Sequence, residues 1–167
     1  HYMAYGDKSI LEEQYASMKA WVDHVITESN DYLWTSGWHY GDWLFYSVNN
    51  DNAGNSAVTY TPLVQQCFFA NSASIMARTA EILGRSDDAR YYADVAAKAR
   101  EVFCENYLTP AGMLVSSTQT AYVLALNFDM LPENMRAKAA AHLAANVEKY
   151  GHITTGFLGT PYICHVL

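Results

Sequence analysis

Residues 118–129 read Thr-Gln-Thr-Ala-Tyr-Val-Leu-Ala-Leu-Asn-Phe-Asp, and this stretch decides the fold class. Its centre, 121–126, is apolar or aromatic at every position, so a helix here carries such side chains on all sides. A helix of that kind must be covered by neighbours all round. The pattern therefore predicts a buried helix over 118–129 within a layered helical protein.

The helices predicted on either side alternate between amphipathic and largely apolar. Amphipathic helices are predicted over 9–29, 86–107 and 132–150, and largely apolar helices over 61–83, 118–129 and 160–167. The predicted boundaries rest on local start and stop signals at Ser9 with Glu12, Thr61 with Pro62, Thr160 with Pro161, Gly84 and Gly151. Outer helices with one solvent-exposed face that alternate with enclosed inner helices predict an all-α fold of helical hairpins.

The connections divide into two classes by length. Those that lead from outer to inner helices are long, over 30–60, 108–117 and 151–159, and the first includes a Gly/Asn-rich stretch at 49–55. The inner-to-outer turns are short. Up-and-down packing then places all three long connections at one rim, where a rigid scaffold can hold functional residues. Six such helices make about half of an (α/α)6 barrel, so residues 1–167 are predicted to be one partial domain.

The ends of the chain suggest a piece of something longer. The sequence begins with His1 instead of Met and stops at Leu167 inside an apolar run, as an excised segment would. Half a barrel would also expose an apolar seam along its first and last helices. This seam predicts self-association unless further helices cover it.

Composition narrows the function classes. A formal net charge of -7 without a basic cluster argues against nucleic acid, and no long apolar run indicates a membrane span or a signal peptide. Four Trp and thirteen Tyr supply flat faces with a hydrogen-bonding edge, which suit carbohydrate. Cys67, Cys104 and Cys164 are interpreted as buried free thiols. The compartment stays open.

The densest group of candidate binding residues is Trp-His-Tyr-Gly-Asp-Trp-Leu at 38–44. A sugar site needs aromatic faces over C–H groups and a carboxylate that accepts from hydroxyls. Asp42 and Trp43 are therefore predicted to line a ligand site, although Asp42 could instead cap a turn and Trp43 fill core. Gln119 either faces the cavity or caps the buried helix. The segment 154–162 combines hydroxyls with two glycines and could equally be a tight structural loop.

Several chemistries lack their motifs. The six histidines show no metal-ligand spacing, and neither a G-x-S-x-G nor a G-x-G-x-x-G sequence occurs, so no metal or cofactor is predicted. Glycoside hydrolysis needs two carboxyl groups across the bond. All eight glutamates fall within predicted helices or at their ends, mostly on solvated faces, and none is predicted to be catalytic.

Three motifs in this order carry a resemblance to a known family: Gly-Asp-Trp-Leu at 41–44, Thr-Gln-Thr at 118–120 and Thr-Gly-Phe-Leu-Gly-Thr-Pro at 155–161. With them the chain resembles, nearly end to end, the α-L-rhamnosidases of glycoside hydrolase family 78. The resemblance implies an (α/α)6 barrel and metal-independent, inverting release of terminal α-L-rhamnose from glycosides or polysaccharides. It places the general acid glutamate upstream of the matched part and the general base beyond its end.

The resemblance therefore implies substrate-binding positions only, without a catalytic residue, and an inactive chain when taken alone. The positions carried over are Asp42, Trp43, Trp38, His39, Gln119 and Phe157. Two alternatives stay open from the residues themselves. One is another (α/α)6-barrel glycosidase, such as a glucoamylase-like or unsaturated-uronyl hydrolase, because a fold does not determine a reaction. The other is a non-enzymatic helical-repeat binding module.

Overall fold

The computed structural model describes residues 2–46 and 57–167, so the Gly/Asn-rich stretch 49–55 lies outside the described residues. The described part contains helices and no strand, with two isolated bridges at Asn30–Leu33 and Leu108–Leu114. The helices are α1 (Tyr2–Tyr5), α2 (Ser9–Glu28), α3 (Thr61–Ile82), α4 (Ser86–Tyr107), α5 (Gln119–Asn127), α6 (Glu133–Tyr150) and α7 (Ile163–Val166). The predicted all-α fold is confirmed.

Two layers of helices build the fold, as the alternating pattern predicts. Every residue of α5 except Asn127 is buried, and α3 buries side chains around most of its surface. The outer helices bury one stripe each, and α6 contributes only Ala139 and Leu143. Burial of each large core side chain, such as Phe103 or Leu124, contributes about 2 kcal/mol.

Helical hairpins connect the layers. Helix α3 packs on α2, α4 and α5, while α5 packs on α6 and α7. The turn after α3 contains Gly84 at φ +73°, a left-handed conformation that glycine adopts without steric cost. Among the described helices, none combines the length and the apolar content needed to cross a bilayer.

The three long connections meet at one end of the helices, which confirms the predicted rim. The hydroxyl of Thr59 lies 2.7 Å from that of Thr118, and the backbone N–H of Tyr60 donates to Ser116 Oγ at 3.3 Å. Tyr46 N–H donates to the carbonyl of Thr154 at 3.1 Å. The first connection therefore contacts both of the others.

Some local predictions were wrong. Ser9 does not cap α2, because it is the first helical residue and donates its own N–H to Asp7 Oδ1 at 2.9 Å. Residues 160–162 form turns instead of a helix start, because the Thr160 hydroxyl bonds back to Gly156 O at 2.8 Å. The cysteines are free as predicted, but only Cys67 is buried; Cys104 is half-buried and Cys164 exposed.

Candidate functional site

A cavity of about 750 Å³ opens beside the rim, and all four tryptophans of the chain line it. Its wall comes from α2, α3 and the first and third long connections. The lining residues are Trp21, Val25, Trp34, Trp38, His39, Tyr40, Gly41, Trp43, Phe68, Phe69, Ser72, Phe157 and Leu158. A largely apolar, aromatic concavity with a few polar groups is typical of a small-molecule site.

Two indoles and an imidazole form one side of the cavity. Trp21 on α2 and Trp34 on the first connection meet edge to face, with ring centroids 6.1 Å apart. Trp34 has a similar contact with His39 at 6.4 Å. Edge-to-face pairs are a favourable aromatic geometry, so these rings support one another.

Three further aromatic rings, all of them exposed, form the mouth of the cavity. Trp38 and Tyr40 lie with centroids 4.1 Å apart, and Tyr40 stacks on Trp43 at 5.9 Å. Trp38 is 78% exposed and Trp43 59% exposed. Contiguous exposed aromatic surface of this kind marks a binding site more often than a solvated face.

His39 is held in one tautomer at the cavity wall. The backbone N–H of Gly41 donates to its Nδ1 at 2.8 Å, so the neutral ring carries its proton on Nε2. Burial lowers the pKa of His39, because desolvation disfavours the charged ring. The site therefore contains a neutral imidazole with one N–H donor.

Asp42 lies behind the mouth and is only 4% exposed. Its Oδ2 accepts from the Thr120 hydroxyl and from the backbone N–H of Gly156 at 2.8 Å, and its Oδ1 accepts from the N–H of Leu158 at 2.9 Å. One carboxylate thus joins the first connection to the start of α5 and to the third connection.

The third connection is packed tightly against this carboxylate. Phe157 N–H donates to the carbonyl of Trp43 at 2.6 Å. A Cβ on Gly156 would lie 2.3 Å from that same carbonyl oxygen and 2.7 Å from Asp42 Oδ1. Only glycine fits there, and the close approach places Phe157 at the cavity.

Gln119 performs a related task from the first residue of α5. Its side chain is fully buried, its Oε1 accepts from Thr154 N–H at 2.8 Å, and its Nε2 donates to His152 O at 3.1 Å. The cap of α5 is Thr118, whose hydroxyl accepts from Ala121 N–H. Gln119 therefore fastens the third connection to the inner helix.

Carboxylate chemistry is scarce at this cavity. All eight glutamates are exposed, and none lines it. The described residues also contain no group of three or more His, Cys, Asp or Glu side chains arranged to hold a metal ion. The part of the site that the structure describes offers aromatic faces and hydrogen-bond donors.

The predicted binding residues fall into two groups. Trp38, His39, Trp43 and Phe157 line the cavity, whereas Asp42 and Gln119 lie buried behind it with protein partners on their polar atoms. Contact of any of the six with a sugar stays a prediction. Sequence reasoning missed Trp21 and Trp34 as cavity residues. A signal for Trp21 was its place outside the apolar stripe of an outer helix, where a core residue would not lie.

The comparisons with known proteins agree on one family. The family described as the bacterial alpha-L-rhamnosidase 6 hairpin glycosidase domain matches residues 1–167. An alpha-L-rhamnosidase of Formosa agariphila is 38% identical over 170 residues, covering 99% of this chain and 18% of that protein. One from Streptomyces avermitilis is 36% identical over 167 residues, which are 15% of its length. The chain thus spans less than a fifth of these relatives.

Solved structures give the same result. The crystal structure of the Streptomyces avermitilis alpha-L-rhamnosidase complexed with L-rhamnose superposes with a TM-score of 0.89 at 35% identity, covering 99% of this chain and 15% of that one. The alpha-L-rhamnosidase of Aspergillus terreus superposes with a TM-score of 0.88 at 30% identity, covering 98% of this chain and 19% of that one. The match of this family over residues 1–167 shows that the chain belongs to the bacterial α-L-rhamnosidase six-hairpin glycosidase family.

Proposed function

We propose that this chain is a segment of the catalytic domain of an α-L-rhamnosidase, in which the aromatic cavity binds the sugar substrate. The observation that carries the proposal is the gathering of every tryptophan of the chain around one cavity beside the rim. The names of the relatives supply the substrate class, an α-L-rhamnoside.

The chemistry of the cavity suits this sugar. L-rhamnose carries a methyl group where most hexoses carry a hydroxymethyl group, so it presents more apolar surface. Indole faces can cover its C–H groups and its methyl group, while indole N–H groups and the His39 Nε2–H can donate to hydroxyl oxygens. Trp38, Trp43, His39 and Phe157 are the proposed contacts, because they line the cavity.

Hydrolysis needs groups that the described part of this cavity does not supply. Inverting hydrolysis uses one carboxylic acid to protonate the leaving oxygen and one carboxylate to activate water. The glutamates of the chain are exposed away from the cavity, and both oxygens of Asp42 accept hydrogen bonds from protein groups. The chain is therefore proposed to bind and orient the sugar, with the catalytic pair supplied by other parts of a longer enzyme.

The two buried residues are proposed to serve the same site through the loops that they hold. Asp42 connects the mouth to residues 156–158, and Gln119 connects α5 to residues 152–154. A direct hydrogen bond between either residue and a sugar hydroxyl is the competing proposal. Replacement of Asp42 by asparagine separates the two proposals for this residue.

The experiment has two arms. The purified 167-residue chain is incubated with an aryl α-L-rhamnoside and is expected to release no aglycone. In the full-length enzyme, Trp43→Ala is expected to raise KM about tenfold, since an aromatic contact contributes about 1–1.5 kcal/mol. Tyr91→Ala, an exposed ring on α4 outside the cavity, is the matched control and should leave KM unchanged. Turnover by the chain alone, or an unchanged KM in Trp43→Ala, would contradict the proposal.

Self-association through an apolar seam is also a proposal. The predicted seam follows the first and last predicted helices, which correspond to α2 and α7. Ile10 on α2 and Leu167, directly after α7, are exposed large apolar residues. Light scattering over a concentration series of the purified chain tests it. A mass that rises with concentration supports the proposal, and a constant monomer mass contradicts it.

A further inference from the structure

Two consecutive glutamines on the inner helix α3 are buried among apolar neighbours. Gln66 is fully buried and Gln65 is 3% exposed. Burial of an amide is costly unless its polar atoms are hydrogen-bonded, so their partners show why polar side chains are tolerated there. Every partner of the two side chains is a backbone group.

Gln66 uses its whole amide on three backbone groups. Its Oε1 accepts from the backbone N–H of Trp34 at 2.9 Å, and its Nε2 donates to Tyr32 O at 2.8 Å and to Ala99 O at 2.9 Å. Gln65 adds a bond from its Nε2 to Ser36 O at 3.1 Å. The two side chains together hold the segment 32–36 against α3.

The chain makes a strained turn over residues 30–33, immediately before Trp34. Asp31 and Tyr32 have φ values of 48° and 64°, in the left-handed region that residues with a Cβ rarely adopt. Asn30 and Leu33 close the turn with two backbone hydrogen bonds of 3.0 Å. Strain of this kind persists only where the surroundings hold the backbone in place. Gln66 supplies such contacts on both sides of Leu33.

The residue that follows this turn is Trp34, whose indole lines the cavity and contacts the rings of Trp21 and His39. We propose that Gln66 is a positioning residue of the site, which holds the Trp34 backbone so that its indole is preorganised for the sugar. The inference rests on the proposed function of the cavity. Preorganisation matters because a displacement of about 1 Å can cost on the order of 100-fold in rate.

The test is a double-mutant cycle in the full-length enzyme, measured with an aryl α-L-rhamnoside well below the unfolding temperature of every variant. Gln66→Met keeps the volume and removes all three bonds, and it is expected to lower kcat/KM on the order of 10- to 100-fold, mainly through KM. In a Trp34→Ala background the same substitution is expected to lower kcat/KM no further, because its effect passes through the indole.

Two further variants keep the outcome clear. Leu143→Ala removes a buried side chain of α6 outside the cavity, so it matches the loss of stability and should leave kcat/KM unchanged. Gln66→Asn retains an uncharged amide, with one acceptor and one donor on a side chain one methylene shorter, and should preserve more kcat/KM than Gln66→Met. It also serves as the readout if Gln66→Met does not fold.

Each contrary result has a distinct meaning. An equal loss from Gln66→Met with and without Trp34 would overturn the inference, as would an equal loss in Leu143→Ala. The same holds if kcat/KM is unchanged in the Gln66 variants while Trp34→Ala lowers it. An unchanged kcat/KM in Trp34→Ala would also overturn the inference, whereas the proposed function of the cavity is tested separately by Trp43→Ala.

Discussion

Replacement of Asp42 by asparagine tests whether this carboxylate holds the rim together or binds sugar. The substitution keeps the shape of the side chain but exchanges one acceptor oxygen for an N–H2 donor. Both oxygens of Asp42 face backbone donors, since Oδ2 accepts from Gly156 and Oδ1 from Leu158. Whichever way the new amide turns, one backbone N–H must face another donor.

The expected cost follows from these contacts. A buried N–H left without a partner costs about 1–3 kcal/mol, and the remaining bonds lose the strength that a charged acceptor confers. The sum is about 3 kcal/mol. For a chain of this length, 1 kcal/mol lowers Tm by roughly 2–4 °C, so Asp42→Asn is expected to lower Tm by about 6–12 °C.

The assay combines thermal unfolding of the 167-residue chain with steady-state kinetics of the full-length enzyme. Asp129→Asn is a matched control, because Asp129 pairs with Arg136 on the surface at 2.9 Å and is 75% exposed. A surface ion pair contributes about 0–1 kcal/mol, so the control should shift Tm by only a few degrees.

One outcome would refute the reasoning. If Asp42→Asn left Tm unchanged within about 1 °C while KM rose, the carboxylate would be acting on the sugar and the loop contacts would be incidental. A fall in Tm of the expected size with a moderate loss of kcat/KM would instead support the role in loop positioning.

Three other predictions follow from single features. Because burial lowers the pKa of His39, the unfolded chain binds its proton first, so stability should fall as pH drops below about 6.5. Urea unfolding at several pH values should show a smaller fall in His39→Asn, which can still accept from Gly41 N–H but does not titrate. Gly156→Ala should disrupt the rim and sharply lower Tm, whereas Gly84→Ala, with nothing within 4 Å of the added Cβ, should cost only about 1 kcal/mol. A thiol reagent should modify Cys164 rapidly in the native chain, while buried Cys67, whose pKa is raised by desolvation, should react only after unfolding.

Helix identity and helix boundaries could be predicted from the sequence because their signals are local. The predicted helices 61–83 and 86–107 match α3 (Thr61–Ile82) and α4 (Ser86–Tyr107) almost residue for residue. Pro62 in the first turn, Gly84 at the stop and acidic residues at the start of α4 act within one helical turn. The predicted helix caps at Ser9 and Thr160 were wrong for a local reason too, because each hydroxyl forms a different local hydrogen bond, to Asp7 and to Gly156 O respectively.

The two-layer architecture was also predictable, because the extent of apolar surface on a helix indicates how much of that helix must be covered by neighbouring helices. The run in 121–126 required an enclosed helix, and α5 is enclosed. The alternation of long and short connections then predicted that the three long connections lie at the same end of the helices. The aromatic motif at 38–44 indicated the right region for a cavity.

What only the tertiary structure decided is which side chains meet at the site. Trp21 joins Trp34 because the chain reverses after α2, and Asp42 reaches Gly156 across 114 positions of sequence. The side-chain amides of Gln66 and Gln119 form hydrogen bonds with backbone groups that no local sequence pattern could identify. The physical reason is that a buried polar group must find a partner, whereas which partner lies within hydrogen-bonding distance depends on how distant segments pack. The sequence by itself thus determined the helices and their layers, and packing between distant segments determined the cavity.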